Sequence, residues 1–124
     1  MNNRFRFRVF DKEKNNYVDD SEVELILHND GVLLFGDWHE DIKVVEQDKF
    51  IVEQCTGLRD NIGHLIYEGD ILRTYDEDWV IVKWVDCGFK ALIDDTYYDL
   101  DDIIDKYTQI ISNIHEQAEQ KEIK

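Results

Sequence analysis

The hydrophobic pattern of this 124-residue chain changes period several times, and each change marks an element. Residues 4–9, RFRFRV, alternate strictly, with Arg4, Arg6 and Arg8 on one face and Phe5, Phe7 and Val9 on the other. Such alternation predicts a half-buried strand. DKEKNN (11–16) reads as a polar turn, and YVDDSEVELILH (17–28) brings the chain into a second strand region. Asn29-Asp30-Gly31, with VLLFG after it, is a hairpin signal. GDWHED (36–41) reads as a loop and DIKVV (41–45) as a short extended piece. FIVEQC (50–55) is a strand, followed by the glycine-punctuated TGLRDNIGHLIYEGD (56–70). Next come ILRTY (71–75), the turn Asp76-Glu77-Asp78, and WVIVKWV (79–85). Asp86-Cys87-Gly88 closes a hairpin onto FKALI (89–93). With no Pro in the chain, turns fall to Gly, Asn and Asp. Short strands at this spacing predict a barrel or sandwich, not a βαβ fold.

The C-terminal stretch carries two signals at once. Leu100, Ile103, Ile104, Tyr107, Ile110, Ile111, Ile114 and Ala118 fall at helical spacing. Yet YTQIISNIH (107–115) is rich in β-branched residues and suits a strand equally. Pattern alone favours an amphipathic helix.

Length and composition bound the class. One domain fits 124 residues with 43% hydrophobic content, enough for a modest core. No apolar run approaches the roughly 20 residues of a membrane span. The opening MNNRFRFRVF lacks the apolar stretch and cleavage site of a signal peptide, so it reads as part of a mature cytoplasmic protein. Cys55 and Cys87 show no CxxC spacing and read as free thiols of a reducing compartment.

Charge changes the picture more. The net charge is −15, with a pI near 4.4, which argues against nucleic-acid binding through a basic surface. Residues 1–14 hold five basic side chains against two acidic ones, and the remaining 110 hold nine against twenty-seven. An acidic body of this kind serves solubility, or it recognises a basic partner.

Candidate chemistry is sparse. DDTYYDLDD (94–102) offers Asp94, Asp95, Asp99, Asp101 and Asp102 to a hard cation, but lacks the EF-hand glycine and terminal Glu. These Asp residues suit the cap of a helical turn near Leu100 as well. His28, His39, His64 and His115 form no metal-ligand spacing. Cys55 and His64 are the nearest thing to an activated nucleophile, yet Cys55 ends an apolar strand and reads as a core thiol. Within GHLIYEGDIL (63–72), Glu68 and Asp70 lack convergent His, Lys or metal ligands. Gly63 and Gly69 suit positive φ at turns, and Asp70 suits a backbone-amide acceptor at a strand start. No catalytic residue, metal or cofactor is expected. Arg4, Arg6 and Arg8 cannot share a stacking platform with the Phe residues of the opposite face, so this strand is an expected interface edge. Trp38, in a polar loop, is a further expected interface residue, and Trp79 and Trp84 are core or interface anchors.

Three stretches carry a resemblance: FRFRVFDKEKNNYV at the start, FIVEQCTGLRDNIGHLIYEGDIL in the middle and IISNIHEQAEQ near the end. Together they resemble the YopX family of small phage- and prophage-encoded proteins. The central block is the specific part, with Gln54, Thr56, Gly57, Leu58, Asp60, Gly63, Ile66, Tyr67, Glu68, Gly69, Asp70 and Ile71 in ungapped register. Cys55, His64, Ser112 and Phe10 depart from the usual family residues, and the tail lacks its Pro. The resemblance runs from about Arg4 to Glu119. It implies a mainly-β fold with a small SH3-like barrel around the GDI strand, and makes IISNIHE a strand closing that barrel. It carries no catalytic residues over.

The expected molecule is therefore a single mainly-β domain over 1–120, with an SH3-like barrel, extra N-terminal strands and a short C-terminal helical tail. Residues 1–49 form the N-terminal β segment, 50–116 the barrel and 117–124 a polar tail. Gly57, Gly63, Tyr67, Glu68, Gly69 and Asp70 are its structural motif. The expected function is a non-catalytic protein–protein interaction module in the cytoplasm of a bacterial host, with a protein partner or a second copy of itself. The alternatives are an acidic mimic that sequesters a basic nucleic-acid-binding host protein, and a metal-dependent enzyme using the 94–102 carboxylates.

Overall fold

The computed structural model describes residues 5–36 and 41–116 and is mainly β, as the pattern predicts. Two units share the chain: residues 8–53, and residues 1–7 with 54–124. Strand β6 (Phe50–Arg59) begins in the first and ends in the second.

In the 8–53 unit, β1 (Phe7–Asp11) pairs antiparallel with β2 (Asn16–Tyr17), placing Phe10 opposite Tyr17. The turn between them is built by Asp11, whose Oδ1 accepts the amides of Glu13 and Lys14 at 3.0 and 3.1 Å, while Asn15 sits at φ 56°. Asn tolerates that left-handed backbone better than most residues. The alternation predicted for 4–9 is only partly realised: Val9 is fully buried, but Phe5 is 72% exposed. A second sheet follows the order β3 (Glu24–Leu27), β4 (Leu33–Gly36), β5 (Ile42–Val44). The Asn29-Asp30-Gly31 hairpin forms as predicted, with Gly31 at φ 91° and Asp30 Oδ1 accepting the Val32 amide at 3.1 Å. Phe35 packs on Phe50 at a ring separation of 5.0 Å. Gln47 ties the start of β4 to the 3-10 turn Gln47–Lys49: its side chain accepts the Leu33 amide at 2.8 Å and donates to the Leu33 carbonyl at 2.9 Å.

In the other unit, the end of β6 pairs with β7 (Leu65–Tyr67). A five-stranded antiparallel sheet curls into a half-barrel. Its strands are β8 (Asp70–Arg73), β9 (Trp79–Val85), β10 (Gly88–Ile93), β11 (Thr96–Asp99) and β12 (Gln109–Asn113), in the spatial order β11-β10-β9-β8-β12. Ile66, Leu72, Val80, Val82, Ala91 and Leu100 form its core. Two-residue turns join β9 to β10 and β10 to β11. Asp86-Cys87 and Asp94-Asp95 both hold positive φ there, between 47° and 65°, the twist such hairpins need.

The helical periodicity of the C-terminal stretch is misleading. Among the described residues, α1 (Leu100–Ile103) is a single helical turn; Ile104, at φ −69° and ψ 127°, leaves the helix, and β12 pairs with β8 through Ile110↔Leu72 and Asn113↔Asp70. Residues 114–116 then turn helical again. Of the strand that the resemblance implies over IISNIHE, residues up to Asn113 are present as β12. Tertiary pairing, together with the β-branched Ile110 and Ile111, outweighs the 3.6-residue period. Among the described residues, no helix is long and apolar enough to cross a membrane.

Candidate functional site

The glycine-acid block is spent on backbone geometry. Gly57, Gly63 and Gly69 sit at φ 83°, 90° and 89°, values that only glycine adopts freely. Asp70 is 2% exposed, and its Oδ2 accepts the Tyr67 amide at 2.8 Å, closing the turn through Glu68 and Gly69 between β7 and β8. The Gly69 amide donates to the Val82 carbonyl and its carbonyl accepts the Ile114 amide, both at 2.9 Å. Glu68 contributes its amide to the Gln54 carbonyl, also at 2.9 Å. Asp60, in register with the central block of the resemblance but outside the expected structural motif, is the more informative acid. It is 7% exposed; its Oδ1 accepts the amides of Ile62 and His64 at 3.1 and 2.8 Å, and its Oδ2 that of Ile110 at 3.2 Å.

Cys55 and His64 are not brought together. Cys55 is fully buried opposite Tyr67, whereas His64 is exposed at the turn beyond the Arg59–Leu65 pair. The Cys55 sulfur accepts the Gly57 amide at 3.4 Å.

The 94–102 carboxylates also disperse. Asp94 and Asp95 form the hairpin turn, Asp101 and Asp102 sit in the first turn of α1, and Asp99 takes the Lys90 ammonium. Asp99 occupies the cap position of α1 without capping it through its side chain. That ion pair holds Lys90 above its ordinary pKa. Among the described residues, no three His, Cys, Asp or Glu side chains gather as metal ligands.

Of the expected interface residues, Arg4 and Trp38 lie outside the described residues. Arg6 is exposed, and its carbonyl accepts the Cys55 amide at 2.9 Å. Arg8 instead faces inward. Its Nε donates to Glu53 Oε1 at 2.8 Å, and its guanidinium lies 4.4 Å from the centre of the Tyr17 ring. Tyr17 donates its hydroxyl to the same Glu53 oxygen at 2.8 Å. Glu53, 2% exposed, is thereby compensated by a cation and a hydroxyl donor.

The surface offers two kinds of unsatisfied chemistry instead. The first is apolar. On β5, Ile42 and Val44 are 65% and 73% exposed, and ladder register puts Val44 beside Leu34 and Ile26, and Ile42 beside Gly36. Residues opposite one another in a ladder share a face, so Ile26, Leu34, Ile42 and Val44 form an apolar stretch of one sheet face ending on an outer strand, with Glu24 on the same face opposite Gly36. Trp79 and Trp84 are 56% and 49% exposed, with Trp84 edge-on to Phe89 at 4.9 Å. The second is acidic: a groove in the 8–53 unit is lined by Asp11, Asp19, Glu22 and Asp41 around Val23 and Phe35. Asp19 accepts the Ser21 hydroxyl and amide at 2.7 and 2.9 Å, which lowers its pKa.

A family model described as YopX protein matches residues 6–120. The chain belongs to the YopX family. Two solved structures share the fold. Protein yopX from Bacillus subtilis has 21% identity and a TM-score of 0.63, with 96% of this chain and 98% of that one covered. Protein EF1440 from Enterococcus faecalis has 21% identity and a TM-score of 0.59, with coverage of 93% and 96%. At that identity, both likenesses concern the YopX fold alone. Among curated proteins, none matches the chain.

Proposed function

We propose that this YopX-family chain is a protein–protein interaction module without catalysis of its own, acting in the cytoplasm of a bacterial host that carries the phage or prophage. The observation that carries the proposal is the exposed face of β3–β5. Leaving an Ile or Val side chain in water forgoes roughly 1.5–3 kcal/mol that burial supplies, and Ile42 and Val44 are 65% and 73% exposed side by side. A partner strand or surface covering that face recovers this energy. Free Cys55 and Cys87 fit a reducing compartment.

A photo-crosslinking amino acid at Val44, compared with one at Glu77, tests the reading in cells of the bacterium that encodes the chain. A discrete adduct from position 44, absent from position 77 and lost with Ile42→Asp at unchanged melting temperature, supports it. Adducts no different from the control overturn it. Sedimentation of the purified chain decides whether that partner is a second copy. A second reading, sequestration of a basic nucleic-acid-binding protein, is supported by the charge of −15; it expects salt added before irradiation to dissociate the complex and abolish the adduct.

A further inference from the structure

We infer that the groove of the 8–53 unit is a receptor for an arginine side chain presented by the partner. The inference rests on the interaction-module reading and names what the partner brings. Two adjoining cavities, of about 410 and 350 Å³, share Glu22, Val23 and Phe35. Either alone falls within the roughly 300–1,000 Å³ of small-ligand sites, so a long side chain and its flanking backbone fit. Phe35 lines both, and its contact with Phe50 at 5.0 Å holds the ring in place. Val23 adds a second half-buried apolar wall.

Around this floor stand four carboxylates and two ammonium groups, Lys14 and Lys43. Asp11 and Asp19 are engaged locally, Asp11 by the amides of its own turn and Asp19 by Ser21. Glu22 and Asp41 differ. Among the described residues their carboxylates meet no donor, and neither Lys14 nor Lys43 forms an ion pair with them. An aromatic floor with two uncommitted carboxylates suits a planar cation. A guanidinium stacks on a ring and donates to carboxylates through a fixed fork, which an ammonium cannot do. Arginine is also enriched at interface cores, where a single anchoring side chain carries much of the energy. Asp41 precedes β5 and Lys43, paired with Phe35, lies on the sheet face opposite Ile42 and Val44, so a partner segment pairing along the outer edge of β5 presents alternate side chains to the groove and to the apolar stretch.

The probe is the peptide Ac-Gly-Arg-Gly-NH2, titrated against the 15N-labelled full chain, with its citrulline counterpart as the uncharged isostere. The expected result is a saturable shift confined to amides 11–23, 35–36 and 41–43, half-complete on the order of 1–10 mM, and absent with citrulline. Glu22→Gln and Asp41→Asn, both exposed and tolerant of change, each weaken binding roughly threefold, with spectra otherwise unchanged. Equal shifts with citrulline, shifts scattered over the 94–102 carboxylates, or no saturable shift all overturn the assignment. A positive titration without a position-44 adduct keeps the receptor groove and rejects the apolar docking face; the reverse result rejects the groove alone.

Discussion

Asp60→Asn separates a carboxylate that merely closes a turn from one that also fastens the last strand. In the native chain, two amides donate to Oδ1 from within the turn, and the Ile110 amide, fifty residues away, donates to Oδ2. Asparagine has one acceptor oxygen and one NH2 group. If the oxygen keeps Ile62 and His64, the NH2 faces the Ile110 N–H, donor against donor; the flipped rotamer keeps Ile110 and sets the clash in the turn. The first rotamer keeps two hydrogen bonds against one, the shorter His64 bond among them, and is the one expected. Its cost falls on Ile110, half-buried in the sheet, where water is a poorer substitute than at the exposed Ile62 and His64. A charge-assisted hydrogen bond contributes about 1.5–3 kcal/mol, and an unsatisfied buried donor costs a similar amount. With solvent access discounted, we expect about 2 kcal/mol for Asp60→Asn and about 3 for Asp60→Ala. For a chain of this length, the Asn variant's loss lowers the melting temperature by about 6–10 °C. Native-state hydrogen exchange locates the effect: the Ile110 amide exchanges faster in Asp60→Asn, while Ile81, in the adjoining meander, changes only with global stability. Unchanged Ile110 protection together with a stability loss under 1 kcal/mol refutes the account.

Other perturbations follow from the same geometry. Gly69→Val places a β-branched side chain at φ 89° and is expected to cost at least about 2 kcal/mol by urea unfolding, more than Asp70→Asn costs. Cys87→Gly relieves a left-handed φ of 61° in a two-residue hairpin and should raise stability by about 0.5–1 kcal/mol, read as a higher urea midpoint at unchanged slope. Arg8→Met strands the buried Glu53 carboxylate and should destabilise by about 2–4 kcal/mol, whereas Arg8→Met with Glu53→Leu recovers part of that loss in a double-mutant cycle. Ser21 holds the folded pKa of Asp19 below its ordinary 3.8, so the stability this gives is complete above the unfolded pKa and fades as pH falls through the lower folded value. Ser21→Ala should move the Asp19 carboxyl titration, followed by 13C NMR, up toward 3.8.

Much of the sheet was legible because short-range chemistry and long-range pairing agreed. WVIVKWV is β9 to the residue, and Asp86-Cys87 forms the turn its neighbours announce. Where the two conflicted, pattern reading failed. Thr96–Asp99 is a strand, but five Asp in 94–102 drew attention to cation chemistry, and an Asp-Asp turn is a weaker hairpin signal than Asn-Gly. At 100–118 the apolar spacing matched a helix, yet the Asp60 contact and pairing with β8 select a strand over Gln109–Asn113. Arg8 alternates outward in sequence terms but folds onto Glu53, because a buried carboxylate elsewhere in the chain needs a cation. The groove left no local trace. Its walls include Asp11, Asp19, Glu22, Phe35, Asp41 and Lys43, residues that only the fold places side by side.

The acidity of the chain also resolves once position is known. A count of 29 Asp and Glu does not distinguish solubility from recognition, since both produce the same total. Asp11, Glu53, Asp60 and Asp70 are buried, and each accepts donors of the fold itself: backbone amides for three, and Arg8 with Tyr17 for Glu53. These four acids serve architecture, and neutralising one should change stability before it changes any association. Glu22 and Asp41 occupy the opposite situation, exposed at a concave surface beside Phe35 and with no donor of their own among the described residues. Exposed carboxylates contribute little to folding, so their substitution should leave the melting temperature nearly unchanged while altering how the chain meets a cation. That opposite response, stability for the buried set and binding for the groove pair, is the measurable difference between an acid that builds this fold and one that uses it.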